Sequence, residues 1–509
     1  MKSLEPAGSP TRSSYAEILR SLLLTGGSQV LTAVLMLIHL KIIALMLGPA
    51  GVGIASLLVA VGTLANTVFS LGLGGSAAQG IAHTATQDDP ERLARLVSFL
   101  RRIAFVSGIL GTLLMALLSK PLSRITFGEE HQSAALLVIA AGLLVSNLCS
   151  VEAGVLQGFR RIRELAVSRI WGAFAGAASA APLIAVFNEP GIAASYLVPI
   201  LITCVLLTSY RKRMRIPMIS TTWGQCWTEG RSLVFLGSAF LTSSLIGSLL
   251  AYGCRWMITH SLGIEAAGLY GATTQVASVY AGFVLHAMGL DLLPRLSATS
   301  SNPSLTARLL NEQIEMGLLT IIPGVMATLS LAPWLLTLLF APEFAVASEV
   351  ARWQSIGVLF RVLAYPFGYG LLAWGRAREF IRVEIFSAAL HQALLAAGLK
   401  FFGFKGAGLA YAGGCAGGML CTYLMTRKPF AFTWSPTNRS LMTWTLVGTT
   451  AAFLCTRISS PVVATASASL LTVLAIVLST LRIRRLLETR SGLESHVAHG
   501  RTEHPSQPL

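Results

Sequence analysis

The sequence predicts an all-α, polytopic membrane protein of 14 transmembrane helices, arranged as two pseudo-symmetric six-helix bundles followed by two C-terminal helices. Three observations carry that expectation. Of 509 residues, 54% are hydrophobic and only 12% charged, where a soluble domain carries roughly 25% charged residues. That much apolar surface calls for a bilayer. The apolar residues gather into long segments separated by short basic ones, and stretches of the first half recur 215 positions later.

The first span sets the pattern. From Leu22 to Leu47 the side chains are apolar or small apart from Lys41, and the stretch ends in Leu47-Gly48-Pro49-Ala50-Gly51-Val52-Gly53. At about 1.5 Å per residue such a helix exceeds a hydrocarbon core of about 30 Å, so it crosses with some tilt. Met1 to Arg20 is polar and no small-residue cleavage site follows a short apolar core, which predicts a retained span rather than a cleaved signal peptide. Five spans follow at roughly 51–81, 94–118, 133–158, 165–187 and 191–210. The basic connector 211–231, with Trp223 and Trp227, suits the headgroup level. Six more spans lie at roughly 232–260, 264–294, 309–340, 344–373, 380–401 and 406–426, and a last pair at 440–456 and 461–481. The expected division is a tail at 1–20, a bundle at 21–210, a linker at 211–231, a bundle at 232–426, two added helices within 427–481 and a tail at 482–509.

The net charge of +16 does not point to nucleic acid, because the basic residues lie between spans, where topology determinants and contacts to anionic membrane lipids belong. With the N-terminus in the cytoplasm, 29 Lys and Arg fall on cytoplasmic segments and 5 on outer loops. One missed or extra helix would scramble that bias, which is the one the positive-inside rule predicts. Both termini are therefore expected in the cytoplasm.

The repeat links the two bundles. Leu262-Gly263 and Ala266-Ala267-Gly268-Leu269-Tyr270 match the surroundings of Gly48 and Gly53, and Gly191 falls opposite Gly406 at the same offset. Gly154-Val155-Leu156-Gln157-Gly158-Phe159-Arg160-Arg161-Ile162-Arg163-Glu164 resembles Tyr369-Gly370-Leu371-Leu372-Ala373-Trp374-Gly375-Arg376-Ala377-Arg378-Glu379. A repeat of six spans preserves orientation, so the halves are expected to be related by an axis along the membrane normal, an architecture that transporters use.

Four cations remain within spans: Lys41, Arg255, Arg352 and Arg361. A charge at mid-membrane is costly unless it meets water, protein or a ligand. Lys41 and Arg352 also lie near enough to span ends to reach the headgroups. Together the cations suit a phosphate-bearing head group, since arginine forks match phosphate oxygens and lysine adds a point charge. Glu152 and Asp291 are the candidates for ion coupling, with a static salt bridge as the other reading of each. The seven cysteines occur singly and no histidine pair has ligand spacing, so no disulfide framework or metal site is expected. No Walker A sequence or serine elbow occurs, which leaves no enzyme chemistry and no cofactor to expect, only a coupling ion such as a proton or sodium.

The run Lys41 to Gly53, the glycines Gly72 to Gly80, and the duplicated segments just given resemble the Wzx-type O-antigen and polysaccharide flippases of the multidrug/oligosaccharidyl-lipid/polysaccharide exporter superfamily. The resemblance covers about residues 15 to 430. It implies movement of an undecaprenyl-diphosphate-linked oligosaccharide from the cytoplasmic to the outer leaflet of a bacterial inner membrane by alternating access. A cation-lined cavity would hold the substrate, with Lys41, Arg255 and Arg361 as candidates here. A polysaccharide polymerase and a chain-length regulator would be partners. Lipid II flippases share the helix count, and a multidrug exporter of the same superfamily is the further alternative, although it would favour an acidic cavity. A polymerase or ligase would need large outer loops, and the expected ones are short.

Overall fold

The computed structural model describes residues 12–85, 89–214, 223–299, 302–458 and 466–484. These form helices α1 (Arg12–Ser70), α2 (Leu73–Ala85), α3 (Pro90–Leu117), α4 (Ser119–Phe127), α5 (Ser133–Gly158), α6 (Ile162–Phe187), α7 (Glu189–Arg213), α8 (Trp223–Leu262), α9 (Ile264–Ala298), α10 (Pro303–Leu339), α11 (Ser348–Ala373), α12 (Ala377–Phe402), α13 (Phe404–Arg427), α14 (Pro436–Cys455) and α15 (Ala466–Arg484). A 3-10 turn at Pro342–Ala347 leads into α11. There is no strand among the described residues, and nine helices there are long and apolar enough to cross a bilayer.

The helices follow the expected spans in order, with informative departures. The first two spans run on as α1, kinked at Gly48, whose φ of 63° only glycine adopts without strain, and followed by Pro49, which has no N–H to give the helix. The second expected span, 51–81, is broken: Leu71 and Gly72 both have positive φ, 52° and 67°, so α1 stops at Ser70 and a separate α2 begins at Leu73. The glycine-rich run there lacks the propensity to continue one helix. Helix α8 begins at Trp223, so the last part of the expected linker is helical, while 215–222 lie outside the described residues. Pro323, Pro333 and Pro366 stay inside their helices.

The internal repeat is built into the backbone. Helices α5 and α11 have 26 residues each and begin 215 positions apart, as do α6 and α12. Positive φ recurs at the same offset, at Gly48 and Gly263, Arg160 and Gly375, and Asn188 and Gly403. The chain therefore turns the same way at three equivalent places.

The helices pack as two compact units, Met1–Ala272 with Thr337–Phe344, and Thr273–Leu336 with Ala345–Leu509. In the first, the duplicated glycines touch reciprocally: a Cβ on Gly53 would strike the Ile264 carbonyl, and one on Gly268 the Pro49 carbonyl. Helix α5 also comes close to α2 through Gly154 and Gly158, over a core of Leu73, Ile81, Phe99, Leu100 and Val155. In the second unit, α9, α10 and α11 share a core that includes Leu292, Leu318, Val325, Val362 and Phe367. Polar bonds fasten the last two helices to α10: Asn438 Nδ2 donates to the Asn311 carbonyl at 2.9 Å, and Ser330 Oγ to the Ala468 carbonyl at 2.7 Å. Without water to compete, such bonds help hold helices together.

Candidate binding site

In the first unit, α1, α5, α6 and α7 line a half-open cavity of about 680 Å³. A second cavity of about 290 Å³ adjoins it, sharing Thr32, Met36, Leu165 and Arg169. The walls are mostly apolar or small, among them Leu58, Val138 and Ala173. Arg169 is the basic residue common to both. Helix α6 starts at Ile162, which puts Arg169 about 10 Å along it. Gly172 and Gly176 press α6 against Pro199 and Thr203 of α7, and this fixes how α6 faces the cavity. The Arg169 guanidinium is exposed, with no hydrogen bond or ion pair among the described residues. The Asn66 carboxamide oxygen, on the α1 wall, is buried without a partner there.

Arg169 is not among the sequence candidates, because it lies only four residues inside the expected span 165–187 and follows the cytoplasmic cluster Arg160, Arg161 and Arg163. Its apolar surroundings, Ala166, Val167, Ile170 and Trp171, are the signal that sets it apart from Arg160, Arg161 and Arg163.

The four cations expected to bind substrate are placed differently from one another. Lys41 Nζ donates to the Leu338 carbonyl at 2.6 Å, in the last turn of α10, where exposed carbonyls and the helix dipole favour a cation. Arg255 Nη1 donates to Ala251 of its own helix at 2.9 Å, while its Nε is buried without a partner among the described residues. Arg255 also lies within electrostatic reach of Tyr196, a cavity-wall residue whose ring centre lies 4.7 Å from that of His39, tilted by 32°. In the second unit Arg352 Nε donates to the Leu329 carbonyl at 3.0 Å. Arg361 is exposed, within reach of Tyr411 and Glu384. Of the four, three use a donor on backbone carbonyl groups and Arg361 does not.

The carboxylates divide as well. Glu152, 2% exposed, lies 2.6 Å from Arg211 Nε and 3.1 Å from Arg101 Nε. The charges are in contact but not aligned as hydrogen bonds, and Arg211 Nη2 is buried without a partner among the described residues. Of the two readings left open by the sequence, this geometry is that of a salt bridge, tying α3, α5 and α7 together. Asp291 is helical, in α9, and its side chain lies outside the described residues. No metal-binding cluster of His, Cys, Asp and Glu occurs among the described residues.

An apolar cavity bearing an unpaired guanidinium can take an amphiphile with an anionic group, and the same cation disfavours a cationic one. Comparison with known proteins places the chain in a family. Residues 18–300 match the model of a family described as "Polysaccharide biosynthesis protein". The lipid III flippase of Escherichia coli (strain K12) is 25% identical over 363 residues, 68% of this chain and 82% of that protein. In fold, the chain is similar to the lipid II flippase MurJ in an inward closed conformation, with a TM-score of 0.69 at 11% identity over 92% of this chain and 99% of that one. It is also similar to an inward-facing multidrug resistance MATE family transporter, with a TM-score of 0.68 at 13% identity, covering 81% and 96%.

Proposed function

Because the chain belongs to the family of polysaccharide biosynthesis proteins, we propose that it is a flippase for polyprenyl-diphosphate-linked oligosaccharides of the O-antigen type. It carries them from the cytoplasmic to the outer leaflet of a bacterial inner membrane, with both its termini in the cytoplasm. The observation that carries this reading is Arg169, a guanidinium free of protein partners among the described residues, at the junction of two apolar-walled cavities. The name and similarity of the lipid III flippase support it.

The substrate's diphosphate meets the Arg169 fork, with Arg255 adding charge behind Tyr196. Lys41 and Arg352 hold helix ends in place and shape the site indirectly. The polyprenyl chain stays in lipid, where its apolar surface costs nothing to leave. Alternating access then exposes the head group on the other side, with no covalent bond made or broken. The chain has no enzyme activity and no cofactor in this reading, and a proton or sodium gradient resets it, with Asp291 as the remaining carboxylate candidate. A polysaccharide polymerase and its chain-length regulator receive the product.

The test is leaflet-resolved transport in proteoliposomes with an undecaprenyl-diphosphate oligosaccharide and, in parallel, lipid II and a lipophilic cation. Transport of the first in preference to the other two is expected. Movement of lipid II alone, or of the cation alone, would reassign the substrate.

A further inference from the structure

The repeat makes α11, α12 and α13 the counterparts of α5, α6 and α7, which wall the cavity of the first unit. Ser146, Ser150, Arg169 and Tyr196 line that cavity. At the offset of 215 their counterparts are Arg361, Tyr365, Glu384 and Tyr411. The tyrosine is kept on the last helix, the charge on the middle helix is reversed, and two small hydroxyls become an arginine and a second tyrosine.

Arg361, Tyr365 and Tyr369 follow at four-residue spacing, so they share one face of α11. Tyr365 Oη donates to Tyr369 Oη at 2.9 Å, and the two rings lie 4.6 Å apart. Both hydroxyls sit over Gly289 of α9, where a Cβ would come 2.6 Å from the first and 3.3 Å from the second. Each ring packs partly on the apolar core and is half-buried. Arg361 is exposed, within electrostatic reach of the Tyr411 hydroxyl and the Glu384 carboxylate, and makes no direct ion pair among the described residues. An arginine at mid-span is strongly disfavoured against hydrocarbon, so this face meets water.

We propose that this face binds the sugar residues of the lipid-linked glycan, an inference that rests on the flippase function above. Sugars present hydroxyls that both donate and accept, together with apolar C–H faces. The Arg361 fork donates, Glu384 accepts, and the tyrosines offer flat apolar rings with polar tips. A diphosphate suits this face poorly, because Glu384 opposes its charge, and no carboxylate pairs with Arg169 among the described residues. The cavity of the first repeat thus carries a guanidinium without a carboxylate partner among the described residues, and this face of the second carries a guanidinium with a carboxylate and phenols near it.

The experiment titrates the full chain in nanodiscs with two probes, undecaprenyl diphosphate and the same lipid bearing an N-acetylglucosamine-containing trisaccharide. The wild type is expected to bind the glycan-bearing probe more tightly. Glu384→Gln, and separately Tyr365→Phe with Tyr369→Phe, should each weaken that probe about tenfold and move the sugarless one less than about twofold, whereas Arg169→Gln should weaken both. The phenylalanine pair keeps the packing, and a thermal melt checks that each variant is folded. If the wild type binds both probes equally, or the variants weaken both alike or neither, the glycan face is refuted and the flippase function stands. If the wild type binds neither probe, the flippase function itself fails.

Discussion

Replacing Arg169 by glutamine removes the one charge common to both cavities of the first unit while keeping most of the side chain's length. The guanidinium makes no hydrogen bond to protein among the described residues, so its donors are undivided and a bound phosphate would receive them. A hydrogen bond to a charged group is worth about 1.5–3 kcal/mol, and a fork makes two. Exposure and salt screening reduce that sum, which leaves about 2 kcal/mol, or roughly a 30-fold loss of affinity for the diphosphate. Arg169→Lys, which keeps charge and loses the fork, should fall between, at roughly fivefold. The assay is the initial rate of flipping in proteoliposomes at subsaturating lipid, with the thermal midpoint measured alongside. Because no hydrogen bond or ion pair to a described residue is lost, the midpoint should move by less than about 2 °C. An Arg169→Gln variant that flips lipid at the wild-type rate would show that the phosphates are held elsewhere.

Four further outcomes follow from contacts within each unit. Glu152→Gln leaves Arg211, 4% exposed, without its counter-charge; a cost of about 3–5 kcal/mol is expected, read as a lowered thermal midpoint, and an unchanged midpoint would mean the cluster is hydrated. Gly268→Val drives a side chain into the Pro49 carbonyl, a backbone atom that cannot rotate away, and should abolish folded protein on size-exclusion chromatography. Gly263→Ala, which meets only the strain of a φ of 90°, should cost about 1 kcal/mol and stay folded on the same column. Lys405→Met removes one of two exposed partners of Glu349, at 2.8 Å; the loss should be under about 1 kcal/mol and vanish in high salt.

Much of the fold was legible because the bilayer imposes it. Helices α5, α6 and α12 begin and end within a few residues of the expected spans, since apolar length and basic flanks are read directly from composition. The repeat was legible at its glycines for a physical reason that appears only in the structure: Gly48 and Gly263 both need positive φ, and Gly53 and Gly268 let the two segments touch. The break at Leu71 and Gly72 was not legible, because a glycine-rich apolar run reads as span whether or not it is continuous. The site was less legible than the fold. Depth in a span says that a cation needs a partner, but not which one, so the backbone carbonyl partners of Lys41 and Arg352 were not legible. Arg169 escaped because helix α6 starts earlier than the expected span at 165–187, and this carries a residue counted as near the surface further into the helix.

The charge reversal between Arg169 and Glu384 bears on why the chain keeps two repeats at all. Two identical halves would offer the same chemistry twice, whereas the head group of the proposed substrate has a diphosphate at one end and hydroxyls at the other. Equivalent helices with equal lengths and equal turns hold the backbone constant, so substrate chemistry can differ between halves through a few side chains alone. A double variant exchanging the charges, Arg169→Glu with Glu384→Arg, separates this idea from a general need for one cation and one anion. If only net charge mattered, the exchange would restore transport. If the place of each charge matters, the double variant should be at least as impaired as Arg169→Gln, because a carboxylate now stands where the proposed phosphate site has its guanidinium. Near-wild-type flipping by the double variant would refute the assignment of the anion to Arg169 and of the glycan to Glu384.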